Sequence, residues 1–232
     1  MEMLVEEARQ ARVVDVQSRP DARGIPIDQV GVSDLSYPIV VLDRQKERQH
    51  TIARVTMSVS LPHHFKGTHM SRFIEILNEH RGEVTMRTLP VILRGLKTRL
   101  DAESARVELH FPYFIERSAP VSGAKGLMDY ACSFVGEVNG GKDDFILGVR
   151  VPLTSLCPCS KEISDYGAHN QRGQVTIEVR SIRSATGDRA LIWIEELVEI
   201  AEQAGSAHGV PTAQAGGRTS HHHAGLRQPC LC

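Results

Sequence analysis

The chain has 232 residues, of which 41% are hydrophobic and 24% charged, and its formal net charge is −1. That length supports one large domain or two modest ones, and the charge balance leaves no electrostatic footprint for nucleic acid or an anionic membrane. The N-terminal MEMLVEEARQARVVDVQ lacks the apolar core of a leader peptide, no apolar run approaches the ~18 residues that cross a bilayer, and the cysteines make a poor disulfide framework, so a reducing, cytoplasmic location is expected.

Taken in chain order, Pro20, Gly24, Pro26, Gly31 and Pro38 make residues 1–45 an extended N-terminal arm rather than a helix. Regular structure is expected from near His50. Val55, Met57, Val59 and Leu61 alternate with polar residues, the period of a half-buried strand, and Pro62 ends it. Thr68 is placed to cap a helix whose Met70, Phe73, Ile74 and Leu77 share one face. A second helix follows, with Leu89, Ile92, Leu93, Leu96 and Leu100 on one side and Pro90 in its first turn. Ala105, Val107, Leu109 and Phe111 alternate again, and RSAPVSGA then forms a loop.

Residues 127–138 and 144–156 read as two strands around an Asn139-Gly140 turn. The stretch from Gly136 to Lys142 has most of the spacing of a phosphate-binding loop. Asp143 stands where Ser or Thr would hold magnesium, so a hairpin is the better reading. Val175, Ile177 and Val179 make another strand. Leu191, Ile194, Leu197, Val198 and Ala201 form a helical stripe that includes Trp193 as a packing residue, with Gly205 as its C-cap. The order predicts an α+β architecture with helices on one face of an antiparallel sheet. It also hints at a repeated strand–strand–helix–helix–strand–strand unit whose second copy stops early.

The chemistry concentrates in residues 152–173, PLTSLCPCSKEISDYGAHNQRG. Cys157 and Cys159 follow an apolar strand, and His169 comes one short loop later. Thiolate and imidazole suit a borderline-soft divalent metal, and a catalytic metal needs about three protein ligands plus a water. On these residues alone, buried structural thiols and a surface histidine stay open as the plainer reading. Ser155 and Ser160 have no neighbouring His–Asp partners of the kind a hydrolase triad uses.

Longer strings separate these readings. LTSLCPCSKEISDYGAHNQRG, with LPHHFKGTHMSRF at 61–73, FPYFIERSAPVSGAKGLMDY at 111–130 and DVQSRPDARGIPIDQVGVSDLSYPI at 15–39, resembles the signature of the prokaryotic type IB GTP cyclohydrolases, the FolE2 family. The likeness spans roughly residues 15–207. It implies the tunnelling fold (T-fold), with two tandem strand–strand–helix–helix–strand–strand modules, the first over 46–140 and the second, incomplete, over 141–207. It also implies a homo-oligomer, a tetramer in intact members, with sites at subunit contacts.

The implied reaction is hydrolysis of GTP to 7,8-dihydroneopterin triphosphate and formate, the first step of folate biosynthesis, with a divalent metal (Zn, Mn or Fe(II)) as cofactor. By the resemblance, Cys157 and His169 are the metal ligands and the catalytic pair, Pro158 fixes the bend and Cys159 is buried support. Lys66, His69, Arg72, Lys125, Lys161 and Arg172 lie inside matching motifs and are candidates for the triphosphate. The alternative for each is a solvated surface charge, or for Arg72 an ion pair with Glu75, so substrate-binding residues stay unassigned.

After Ala207 the pattern breaks. Residues 208–232, HGVPTAQAGGRTSHHHAGLRQPCLC, carry no apolar periodicity and are expected to be an aberrant tail. The family would continue with a VYPLLKRPDE-like segment, an FVED helix and SIHNHSAY, bearing a metal-site glutamate, a glutamate for guanine and further histidines. One permitted back-translation of the tail, read one nucleotide over, spells TVYPLLKRADERHTTMPAYDNPAFV. A frameshift near Ala207 is therefore expected, and His221, His222, His223, Cys230 and Cys232 carry no function. The preceding helix would keep an uncovered apolar face, and this exact chain would not turn over GTP. Two other readings compete. A nitrile reductase of the same fold would use Cys157 as a nucleophile without metal, although its E-S-K-S-type motif is absent. A truncated gene product that no longer folds is the other.

Overall fold

The computed structural model describes residues 22, 24–80, 83–85, 87–119, 122–163, 169–182 and 190–205. Across these the chain forms β1 Ile27–Asp43, β2 Glu47–Leu61, α1 Met70–Glu79, α2 Leu89–Arg99, β3 Ser104–Ser118, β4 Lys125–Asn139, β5 Lys142–Leu156, α3 Pro158–Ile163, β6 Asn170–Arg180 and α4 Ile194–Ala204. The strands make one antiparallel sheet in sequence order, β1 to β6. Their period of two puts one set of side chains on a common face. Val55 pairs with Leu109, Leu109 with Phe134 and Phe134 with Leu147, so four strands contribute one buried row.

Helices α1, α2 and α4 close over that face. Phe73, Ile76 and Leu77 of α1, Leu89, Ile92, Leu93 and Leu96 of α2, and Ile194, Leu197, Val198 and Ala201 of α4 join a single core with the strands. Each such side chain contributes about 1.5–3 kcal/mol on leaving water. The expected α+β layering, with helices on one face of an antiparallel sheet, agrees with this arrangement. No helix among the described residues is long and apolar enough to cross a membrane.

Several local expectations are corrected. Regular structure begins at Ile27, well before His50. β1 is an edge strand, where Pro38 is tolerated because a missing N–H costs no ladder bond on the open side. Gly31 lies between two register shifts of the β1–β2 pair, and a Cβ there would sit 1.9 Å from the Met57 carbonyl oxygen. Asp34, in the second shift between Val32 and Leu35, adopts φ 57°, and both its carboxylate oxygens accept from Arg54, at 2.8 and 2.7 Å.

His69, not Thr68, caps α1, and no side chain caps it by hydrogen bond. The buried stripe of α1 includes Ile76, while Met70 is exposed. Both stripes satisfy the helical period, and packing against α2 and β1 selects between them. The β4–β5 turn centres on Gly140-Gly141, one residue later than expected. Both have positive φ, 55° and 84°, as a two-residue type I′ hairpin requires.

The apolar face of α4 is covered by the sheet itself, so the expectation of an uncovered face is overturned. Gly205 caps α4 in extended geometry, with φ −82°, not in a left-handed turn. The remaining face of the sheet is not covered by α1, α2 or α4. It forms an open trough of about 580 Å³ lined by Arg54, His110, Asp129, Arg150 and Glu178 among others. The tail with His221, His222, His223, Cys230 and Cys232 lies outside the described residues.

Candidate metal centre

The β5–β6 ladder runs out to the pair Leu156 and Asn170. The residues one step beyond it are Cys157 and His169, so the hairpin sets the two side by side across its ladder. The Cys157 N–H donates to the His169 carbonyl at 3.0 Å, which continues the ladder. Between them the chain makes the short helix α3, started by Pro158 and tied by the Lys161 N–H to the Cys157 carbonyl at 3.1 Å.

The Cys157 thiol is held below the ordinary value of 9.0. The backbone N–H and then the hydroxyl of Ser160 favour its thiolate over the opposing cost of burial, and Cys159 adds further hydrogen bonds. Cys157 is 8% exposed, whereas His169 is open to solvent. Ser160 Oγ lies 2.6 Å from His169 Nδ1. Linear spacing gave no sign of this contact, which is made only when β6 returns beside β5. Cys159 is exposed rather than buried support, because its position on α3 faces outward. Cys132 behaves oppositely to Cys157: burial first, and then the Glu195 charge, push its thiol well up, as suits an inert core residue.

A thiol biased to its thiolate, beside a solvent-open imidazole, fits a borderline-soft divalent cation as two of its ligands. Among the described residues no group of three or more His, Cys, Asp and Glu could hold a metal by itself. The pair therefore fits as part of a ligand set, not as a whole one.

The candidate anion-binding residues are scattered. Arg72 donates to the Arg99 carbonyl at 2.9 Å, at the end of α2, instead of pairing with Glu75. Lys125 pairs with Glu116 at 2.9 Å. His69 starts α1, Lys66 and Arg172 are exposed, and Lys161 sits on α3. The sheet's open trough is not lined by Cys157, Ser160 or His169.

A family model described as type I GTP cyclohydrolase folE2 matches residues 13–213. A GTP cyclohydrolase FolE2 of Citrifermentans bemidjiense is 54% identical over 205 residues, covering 88% of this chain and 74% of that protein. One from Syntrophotalea carbinolica is 56% identical over 193 residues, covering 83% and 70%. Among solved structures, a uricase from Arthrobacter globiformis superposes with a TM-score of 0.43 at 11% identity, covering 81% of this chain and 72% of that one, too loosely to carry an argument.

Proposed function

Because this chain belongs to the type I GTP cyclohydrolase FolE2 family, we propose that its reaction is the hydrolysis of GTP to 7,8-dihydroneopterin triphosphate and formate, the entry to folate biosynthesis, at a divalent-metal centre held by Cys157 and His169. The observation that carries this reading is the end of the β5–β6 hairpin, where a thiol favoring its thiolate lies beside an exposed imidazole. A bound divalent cation supplies hydroxide at neutral pH by lowering the pKa of water from about 15.7 towards 7, which the attack on C8 of guanine needs.

The chain's own groups prepare that site. Cys157 offers sulfur, and hydrogen bonds from Ser160 and then Cys159 hold its thiol below the ordinary value. His169 faces solvent, where a substrate can approach. Zinc, manganese and iron(II) all accept such donors. A third ligand, a carboxylate from an RPDE-like segment of the kind the family resemblance implies, would complete the set. The run β1, β2, α1, α2, β3, β4 supports a first T-fold module, and β5, β6 and α4 support the start of a second. The uncovered sheet face supports self-association to a homo-oligomer.

The test is metal retention by the purified chain. Wild type is expected to bind zinc, manganese or iron(II), and Cys157→Ala and His169→Gln each to lose it. Retention by both variants overturns the ligand assignment. A metal-free chain that forms a covalent thioimide with a nitrile substrate would favour the reductase reading instead.

A further inference from the structure

Strand β6 is the last of the sheet, and among the described residues no strand pairs with its outer side. Its ladder to β5 is unbroken over all 11 residues, none of them proline. The Ser181 N–H donates to the Phe145 carbonyl and the His169 carbonyl accepts from the Cys157 N–H, both in the β5–β6 register. The odd-numbered residues of β6 therefore turn their backbone groups towards β5. The even-numbered ones, Asn170 to Arg180, direct theirs outward, a ready template for a further strand. The opposite edge offers no such template. Two register shifts break β1, Pro38 lies within it, and its Val40 carbonyl already accepts the Val84 N–H at 3.1 Å.

We propose that β6 pairs antiparallel with β6 of a second copy of this chain, with Val175 facing Val175 on the two-fold axis. The strand's own side chains select that register. Outward groups meet only when even-numbered residues oppose even-numbered ones, so the axis must pass through a residue. With the axis at Val175, Arg172 lies opposite Glu178 of the second copy, and symmetry repeats the contact. Both side chains are exposed, and among the described residues neither has an ion partner, whereas Arg180 is taken by Asp144 at 3.0 Å. An axis at Thr176 would set Arg172 against Arg180, like charge against like. An axis at Gln174 would leave Arg172 opposite Thr176 and Glu178 opposite Asn170. On the other face Val175, 39% exposed, meets its own copy in a non-hydrogen-bonded pair, where side chains approach most closely. Ile177 then comes opposite Gly173, where an added Cβ would have no atom within 4 Å. This contact lies on the edge of the sheet, not on its open face, and holds whether or not Cys157 and His169 bind a metal.

The test is the mass of the purified full chain in solution, by sedimentation velocity over a concentration series. Wild type is expected to be a dimer. Arg172→Glu sets Glu against Glu in both contacts and Glu178→Arg sets Arg against Arg. Each is expected to weaken the dimer about tenfold or more at low salt, less as salt screens the repulsion. An equimolar mixture of the two single variants is expected to recover the dimer, because every contact is then Glu against Arg. The double variant Arg172→Glu/Glu178→Arg is expected to recover it for the same reason. Thr176→Pro removes an outward N–H and leaves the β5 ladder intact, so it is expected to keep the wild-type far-ultraviolet circular dichroism while losing the dimer. A wild type that is monomeric at every concentration overturns the proposal. A dimer indifferent to both charge reversals overturns it too, by placing self-association on another surface, and so does a mixture that fails to recover what the single variants lose.

Discussion

Asp43 shows how much one carboxylate does at the end of β1. Its Oδ1 accepts the backbone N–H groups of Gln45 at 2.8 Å and Lys46 at 2.7 Å, and its Oδ2 accepts from the Gln49 side chain at 3.2 Å. Burial pushes its pKa up, but these donors outweigh that and leave it below 3.8. The unfolded chain then takes up a proton more readily than the folded one as the pH falls. The stabilisation is complete above the unfolded value of about 3.9 and is lost as the pH drops through the lower folded value. In urea titrations at a series of pH values, wild type is expected to lose stability relative to Asp43→Asn below about pH 4. Parallel profiles would remove Asp43 from the account. At the same scale, Cys157 and His169 were readable as ligand candidates because residue type and motif string carry that information. The contact of Ser160 with His169 was not, because the two meet only after β6 returns along β5.

Helix α4 is held by two inward carboxylates as well as by its apolar stripe. Glu195 Oε1 accepts from Tyr113 Oη at 2.6 Å and from the Arg44 N–H at 2.8 Å, tying α4 to β3 and to the β1–β2 turn. Glu202 accepts from Tyr130 Oη at 3.0 Å and from Arg117 at 2.8 Å. Burial leads in raising the Tyr130 hydroxyl to about 12; Arg117 opposes it and Glu202 adds to it, so the phenol stays a proton donor throughout the working range. Glu202→Ala removes the carboxylate that both the buried Tyr130 hydroxyl and the Arg117 guanidinium donate to and is expected to cost about 2–3 kcal/mol by urea denaturation, against about 1 kcal/mol for Tyr130→Phe. Equal losses would mean that the Arg117 arm contributes nothing. The period of 3.6 revealed the helix and its stripe but not these anchors, since a carboxylate looks the same in sequence whether its partner is water or a tyrosine on a distant strand. The rotated face of α1 has the same origin: two stripes fit the period, and the neighbours choose one.

For the whole molecule, the sharpest expectation concerns residues 208–232. An intact mass of the protein made from its own gene in its own host tests this: a mass several kilodaltons above 25.6 kDa would mean that these residues are a reading-frame artefact. A mass of 25.6 kDa would mean that the tail is translated as written, leaving Cys157 and His169 one protein ligand short of a three-ligand catalytic set. The sequence by itself determined the strand alternation of β2 to β5, the existence of α1, α2 and α4, and the motif strings that lead to GTP chemistry at Cys157 and His169. These are legible because period and residue type belong to neighbours along the chain. Only the tertiary structure decided that β1 pairs as an edge strand, that the sheet covers α4, that Glu195 and Glu202 face Tyr113 and Tyr130, and that Ser160 meets His169. Each of these depends on contacts between segments that meet only when the sheet closes, and no local pattern encodes which of several compatible partners a side chain will find.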